Sequence, residues 1–216
     1  MANPPTSSTV YIIGPSSTGK TTLCKALSKR LGVSGPAVIT EVARDVMRRT
    51  GFSRATVGQL AMQKAILEAQ VDRQDAVRDL PGVKLSDRSG IDPIVYAMLT
   101  AASGEEALER RQALVSTPPF QRALPEYRAA LVLLLKPVPE WVVDDGVRSL
   151  DDQVECLEVF RRVLFDLQIP FEEMGLEVLD IEERVDIVLG YMKAIDERFK
   201  VSVGHKASQL SCSPAH

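Results

Sequence analysis

A chain of 216 residues, 45% of them apolar and 25% charged, has the length and composition of one globular domain with a sizeable core. Its net charge of -3, from 26 Lys and Arg against 29 Asp and Glu, excludes the basic footprint of a nonspecific nucleic-acid binder. Three widely separated cysteines, Cys24, Cys156 and Cys212, form no CxxC pair and suggest neither a disulfide framework nor a zinc site, which suits a reducing compartment.

Residues 1–8 have neither a basic start nor an apolar run and read as a flexible N-terminus, not a signal peptide. The β-branched stretch Val10 to Ile13 predicts a buried first strand. A Gly-rich turn leads into a helix over Thr21 to Leu31, where Leu23, Ala26, Leu27 and Leu31 recur at helical spacing and Gly32 supplies a C-cap. A second strand is expected at Ala37 to Thr40, then helices over Glu41 to Arg49 and Ala55 to Arg78. The third strand is Gly82 to Ser86, followed by a helix over Asp92 to Thr100 with Asp92-Pro93 as N-cap and N1. A helix over Glu105 to Leu114 precedes the fourth strand, Ala129 to Leu135, whose apolar run is far too short to span a bilayer.

Residues 137–150, punctuated by prolines and rich in acids, read as a lid. A helix over Leu150 to Leu167, a fifth strand at Leu176 to Asp180 and a last helix bearing Val185, Val188, Leu189, Met192 and Phe199 on one face complete residues 9–199. The small, polar residues 200–216 are expected to be disordered. Strands alternating with helices predict an α/β fold: a parallel five-stranded sheet in a three-layer α/β/α arrangement. With no leader or spanning segment, the cytoplasm is the default location and no membrane partner is expected.

The spacing Gly14, four residues, Gly19, Lys20, Thr21 is the phosphate-binding P-loop pattern of NTPases, and it falls between a strand and a helix as that pattern requires. Across Gly14, Pro15, Ser16, Ser17, Thr18, Gly19, Lys20, Thr21 and Thr22 the backbone N–H groups can curl around anionic oxygens, helped by the positive end of the helix. Lys20 reaches the β- and γ-phosphates of ATP, and the Thr21 hydroxyl becomes a ligand of Mg²⁺.

In an open α/β sheet the remaining chemistry collects at the carboxyl ends of the strands. Asp87 follows the third strand, the Walker B position for an acid that organises Mg²⁺ directly or through water. Glu41 follows the second strand, where it either takes the proton of a substrate hydroxyl or neutralises a helix dipole. Arg88 suits a phosphate or a carboxylate partner. Arg148, in the lid, either stabilises transition-state charge or pairs with Asp152 one turn on.

The segments "GPSSTGKTTLCKAL", "ITEVARDVMRRTG", "SDRSGIDPIVYA" and "DDGVRSLDDQ" together resemble the NadR-type AAA domain family of P-loop ATPases and kinases, over roughly Val10 to Leu189. The resemblance implies a nucleoside- or nucleotide-kinase-like fold, with ATP and Mg²⁺ as cofactors. It implies functional roles for Glu41 and for Asp87-Arg88-Ser89, by analogy with the nucleoside kinases. The lid departs from that pattern, with Arg148 alone where nucleoside kinases commonly carry several arginines.

The leading expectation is a small-molecule kinase moving the ATP γ-phosphoryl to a hydroxyl of a nucleoside-like acceptor. A nucleotide-dependent switch is the alternative, since Asp87 to Gly90 also reads as Asp-x-x-Gly. No guanine-reading Asn-Lys-x-Asp follows the fourth strand, however. A scaffold that hydrolyses ATP slowly and binds a protein partner is the third reading.

Overall fold

The computed structural model describes residues 8–141 and 150–210. Its first strand, β1 (Ser8–Ile13), shows why the chain builds three layers. Alternation along β1 sends Val10 and Ile12 to one face of the sheet and Tyr11 and Ile13 to the other, all fully buried. On the first face Val10 and Ile12 join Leu23 and Leu27 of α1 (Lys20–Leu31) and Val185 and Val188 of α8 (Ile181–Leu210). On the second, Tyr11 and Ile13 meet residues of α3 (Leu60–Val77), α4 (Ile91–Leu99), α6 (Pro118–Ala129) and α7 (Leu150–Asp166). Each buried aliphatic side chain on these faces contributes roughly 1.5–3 kcal/mol relative to exposure.

β1 pairs in parallel with β3 (Val83–Asp87) and β4 (Leu131–Leu135); β2 (Val38–Ile39) flanks β3, and β5 (Glu172–Met174) flanks β4. The order is β2-β3-β1-β4-β5. Five parallel strands between helical layers agree with the sequence reading. The chain crosses from β1 to one side of the sheet and from β3 to the other. The crevice at the carboxyl ends of β1 and β3 is therefore the topological switch point where such sheets bind ligands. A cavity of about 540 Å³, lined by Ser8, Thr9, Lys84 and Leu131, lies at the opposite, amino-terminal end.

The fifth strand is not Leu176 to Asp180 but Glu172–Met174. Leu176 and Leu179 are exposed, and the Gly175 and Val178 carbonyls accept hydrogen bonds from Arg184 instead of extending a ladder. α6 is absent from the sequence reading because Pro118, Pro119 and Pro125 mask it. The first two occupy the opening turn, where no N–H is needed, and Phe120, Ala123, Leu124 and Tyr127 fill the core at helical spacing. Its C-terminal turn takes Ala129, so β4 begins only at Leu131.

The long helix opens at Leu60, after a 3₁₀ turn at Arg54–Thr56. α2 is Ala43–Thr50, and α5 is Gly104–Val115 with Ser103 accepting from the Glu106 N–H as its cap. α8 runs helical to Leu210, past the Lys200 boundary expected from composition. Of the expected lid, Pro139–Trp141 forms a 3₁₀ turn; residues 142–149, with Arg148, lie outside the described residues, as does Cys212. Cys24 and Cys156 are free and buried, and burial pushes both thiols up to about 12, so neither is a reactive thiolate. No helix among the described residues is long and apolar enough to cross a membrane.

Candidate active site

The turn after β1 is built around glycines with a definite steric reason. At Gly14 (φ 133°) an added Cβ would stand 2.5 Å from the Leu135 carbonyl oxygen, so only glycine lets the loop leave β1 alongside β4. Gly19 (φ 85°) is the left-handed residue that opens α1, and Ser17 also has positive φ (59°). α1 has no side-chain cap and no acid in its first turn. Its first N–H groups and positive dipole end are thus left for an anion.

Lys20 is folded back into this loop. Its ammonium donates to the Pro15 carbonyl and, at 3.3 Å, to the Thr18 hydroxyl, which itself donates to Pro15 at 3.0 Å. Burial lowers the Lys20 pKa to about 7, with Arg88 pushing the same way and Asp92 and Asp87 opposing. An ammonium disfavoured by burial in a closed loop is poised to gain from an anionic ligand.

The β1–β3 register sets Asp87 beside Ile12 at the entrance to the loop. The Thr21 hydroxyl donates to Asp87 Oδ2 at 2.5 Å, so the two hard oxygens expected around magnesium are adjacent. No cluster of three or more His, Cys, Asp or Glu suited to a metal occurs among the described residues. The pair fits a cation that brings phosphate and water oxygens with it, as Mg²⁺ does.

Beyond Asp87 the backbone turns through Arg88 at φ 81°, a sparsely populated conformation for a side chain of this size, held by the Arg88 N–H donating to Ile12 at 2.9 Å. The guanidinium lies between Glu41 (3.3 Å) and Asp92 (3.1 Å), with Tyr96 against it. Burial alone would lower its pKa, but Asp92, Tyr96, Glu41 and Asp87 outweigh it and hold Arg88 above the ordinary arginine value. Glu41 lies outside α2, which starts at Ala43 with Val42 as N-cap, so its observed partner is Arg88 across the crevice.

Asp92 is not the N-cap expected of it; Gly90 is. The Asp92 carboxylate instead accepts from the Ser89 N–H (2.8 Å) and from Arg88. Burial raises its pKa against the pull of Arg88 and Lys20. Its signal was present: Asp92 is the one charged residue in an otherwise apolar helix. Gly90 is fixed because a Cβ there would stand 2.7 Å from the Tyr127 hydroxyl, which accepts the Gly90 N–H and donates to Gln74.

A further group was missed. Trp141 leans over Gly19, its ring 3.0 Å from where a Cβ would be, and the Arg184 guanidinium lies 4.5 Å from the ring centroid. Arg184 is 1% exposed and donates to Val178 (2.7 Å) and Gly175 (2.9 Å); burial lowers its pKa, with Glu177 opposing. The 3₁₀ turn Pro139–Trp141, the phosphate loop and the β5–α8 turn thus meet in one aromatic–cation platform.

Loop, switch-point crevice and strand order define a P-loop protein with the fold of nucleoside and nucleotide kinases. A family model described as AAA domain matches residues 9–184, and the chain belongs to that family. A search of curated proteins finds no match. Among solved structures, the NadR protein in complex with NAD and AMP-PNP is similar at 22% identity and TM-score 0.63, over 86% of this chain and 49% of that one. This chain therefore spans about half of NadR. Deoxyadenosine kinase from M. mycoides, with dCMP and dCDP, is similar at 13% identity and TM-score 0.55, over 86% of this chain and 99% of the other. Thymidylate kinase from Candida albicans is similar at 16% identity and TM-score 0.56, over 87% and 92%.

Proposed function

We propose that the protein is an ATP-dependent small-molecule kinase that transfers the γ-phosphoryl group to a hydroxyl of a nucleoside-like acceptor. The observation that carries this reading is the pairing of two half-sites across one crevice. The loop from Gly14 to Thr22, with Lys20, is built for a triphosphate, and the Glu41–Arg88–Asp92 network facing it is built around a carboxylate at a strand end. In this reading Glu41 takes the hydroxyl proton, a role supported by the Arg88 contact at 3.3 Å that orients its carboxylate. Thr21 and Asp87 would hold Mg²⁺, which supplies charge neutralisation to the phosphate oxygens. Arg148 is the lid's candidate for the developing transition-state charge.

The switch reading has less support. Its Asp-x-x-Gly element senses a γ-phosphate through a free glycine N–H, whereas the Gly90 N–H is donated to Tyr127 at 3.0 Å. The test is acceptor-dependent ADP release from ATP–Mg²⁺ over a panel of nucleosides that includes nicotinamide riboside. Release above the acceptor-free rate, with a phosphorylated product, is the expected result. Equal rates with and without every acceptor would leave an ATPase or scaffold. Asp87→Asn is expected to weaken the Mg²⁺ dependence of ATP binding by about tenfold or more, since a neutral amide is a poorer ligand for a hard cation. Calorimetric titration of ATP across Mg²⁺ concentrations reads this directly, and an unchanged Mg²⁺ dependence removes Asp87 from the metal site.

A further inference from the structure

Among the described residues every buried amide but one is paired at one or more of its polar atoms, although Gln74 Nε2 has no partner. On α3, Gln63 donates to Val57 (2.7 Å), Gln70 to Ser86 (3.1 Å), and Gln74 accepts from Tyr127 (2.7 Å). Gln153, in the first turn of α7, is 3% exposed, yet neither its Nε2 nor its Oε1 has a partner. Among the described residues it alone is stranded at both polar atoms. Folded proteins pair almost all such groups, so an amide left open in both senses marks a place for something else.

Its position says where that place is. α7 follows β4, starts at the carboxyl end of the sheet and runs back down against α4. Asp152, Val154 and Glu155 face solvent, whereas Gln153, Cys156 and Leu157 form the inward face at helical spacing. Cys156, one turn below Gln153, already lies within the fields of Asp92, Lys20 and Arg88. Gln153 therefore sits one turn closer to the mouth of the crevice, on the side of α4.

Chemistry narrows the ligand. Phosphate oxygens only accept, so a triphosphate would satisfy Nε2 and leave Oε1 unpaired. A partner that satisfies both atoms must present a donor and an acceptor together without a charge. Ribose hydroxyls and the amide-like edge of a nucleobase or carboxamide both do so. We propose that Gln153 reads such an uncharged donor–acceptor group on the acceptor molecule, making it a specificity-determining residue; this rests on the kinase reading above.

The test compares the wild-type chain with Gln153→Met, which keeps the volume and removes both polar atoms. The acceptor KM is expected to rise by roughly 10–100-fold with the ATP KM unchanged, as at sites that read a substrate's hydrogen-bonding groups. The ligand-free melting temperature should hold or rise, because an unpaired buried amide is removed. Ribonucleosides, 2′-deoxyribonucleosides and base-altered analogues separate the two sources. The analogue lacking the recognised group should be penalised in the wild type and not in Gln153→Met. Wild-type turnover with an unchanged acceptor KM in Gln153→Met overturns this inference alone. A wild-type protein that phosphorylates no acceptor overturns the kinase reading, and this inference with it.

Discussion

Glu41→Gln is expected to lower acceptor-dependent turnover by roughly 10²–10⁴-fold while leaving ATP affinity nearly unchanged. The substitution keeps the shape of the side chain and an oxygen that Arg88 can donate to, but it removes the ability to take a proton. Two features argue that the proton matters more than the charge. Glu41 lies before the N-cap of α2, so the helix dipole is not its main partner, and its carboxylate points across the crevice to Arg88 at 3.3 Å. Both side chains are mostly covered, 17% exposed for Arg88 and 28% for Glu41, but Arg88 keeps Asp92 at 3.1 Å and the Gln oxygen can still accept, so losing the ion pair itself should cost only about 1–2 kcal/mol. The expected signature is a collapse of kcat with small changes in melting temperature and ATP Kd. Wild-type turnover in the variant would assign Glu41 to positioning Arg88, and the base would then be sought elsewhere.

The parts of this site legible in sequence are those where chemistry is written in residue identity at fixed spacing. Gly14 is glycine because a backbone carbonyl leaves no room for a Cβ, and Gly19 because its φ of 85° is left-handed, and both requirements show as a motif. Asp87 was legible because an apolar strand ends on an acid. Asp92 was misread because its neighbour Pro93 makes a good helix start, while its true partners, Arg88 and Ser89, lie upstream of the helix. The Trp141–Arg184 platform was invisible for another reason: its members are far apart in the chain, and only the β5–α8 turn brings them together. β5 escaped for want of signal, since Glu172–Met174 is a three-residue edge strand with two glutamates and has almost no pattern to read. The proline-masked α6 makes the complementary point. Local propensity argued against a helix that the packing of Phe120 and Tyr127 on the core sustains.

Lys20→Met is expected to cut ATP affinity by at least about tenfold, through loss of a charge-assisted contact to the phosphates, yet to stabilise the ligand-free protein. The second half follows from where the ammonium sits. Burial lowers its pKa from 10.5 to about 7, so charging Lys20 in the folded state is penalised relative to the unfolded chain. Between about pH 7 and 10.5 the unfolded chain holds a proton at this site that the folded chain has lost, so stability from this group rises with pH across that window. The penalty is full below pH 7 and gone above pH 10.5. The gain in melting temperature for Lys20→Met should therefore be largest near pH 6 and shrink as pH rises. A bound triphosphate reverses the shift by placing anionic oxygens beside the amine, which must then regain its proton. Above pH 7 ATP binding should take up a proton, and wild-type affinity should fall by up to about tenfold per pH unit. Calorimetry in two buffers of different ionisation enthalpy counts that proton, and it should vanish in Lys20→Met. Proton-free binding at pH 8 by the wild type would mean that Lys20 is already charged in the free loop, held by Asp87 and Asp92 more firmly than burial opposes.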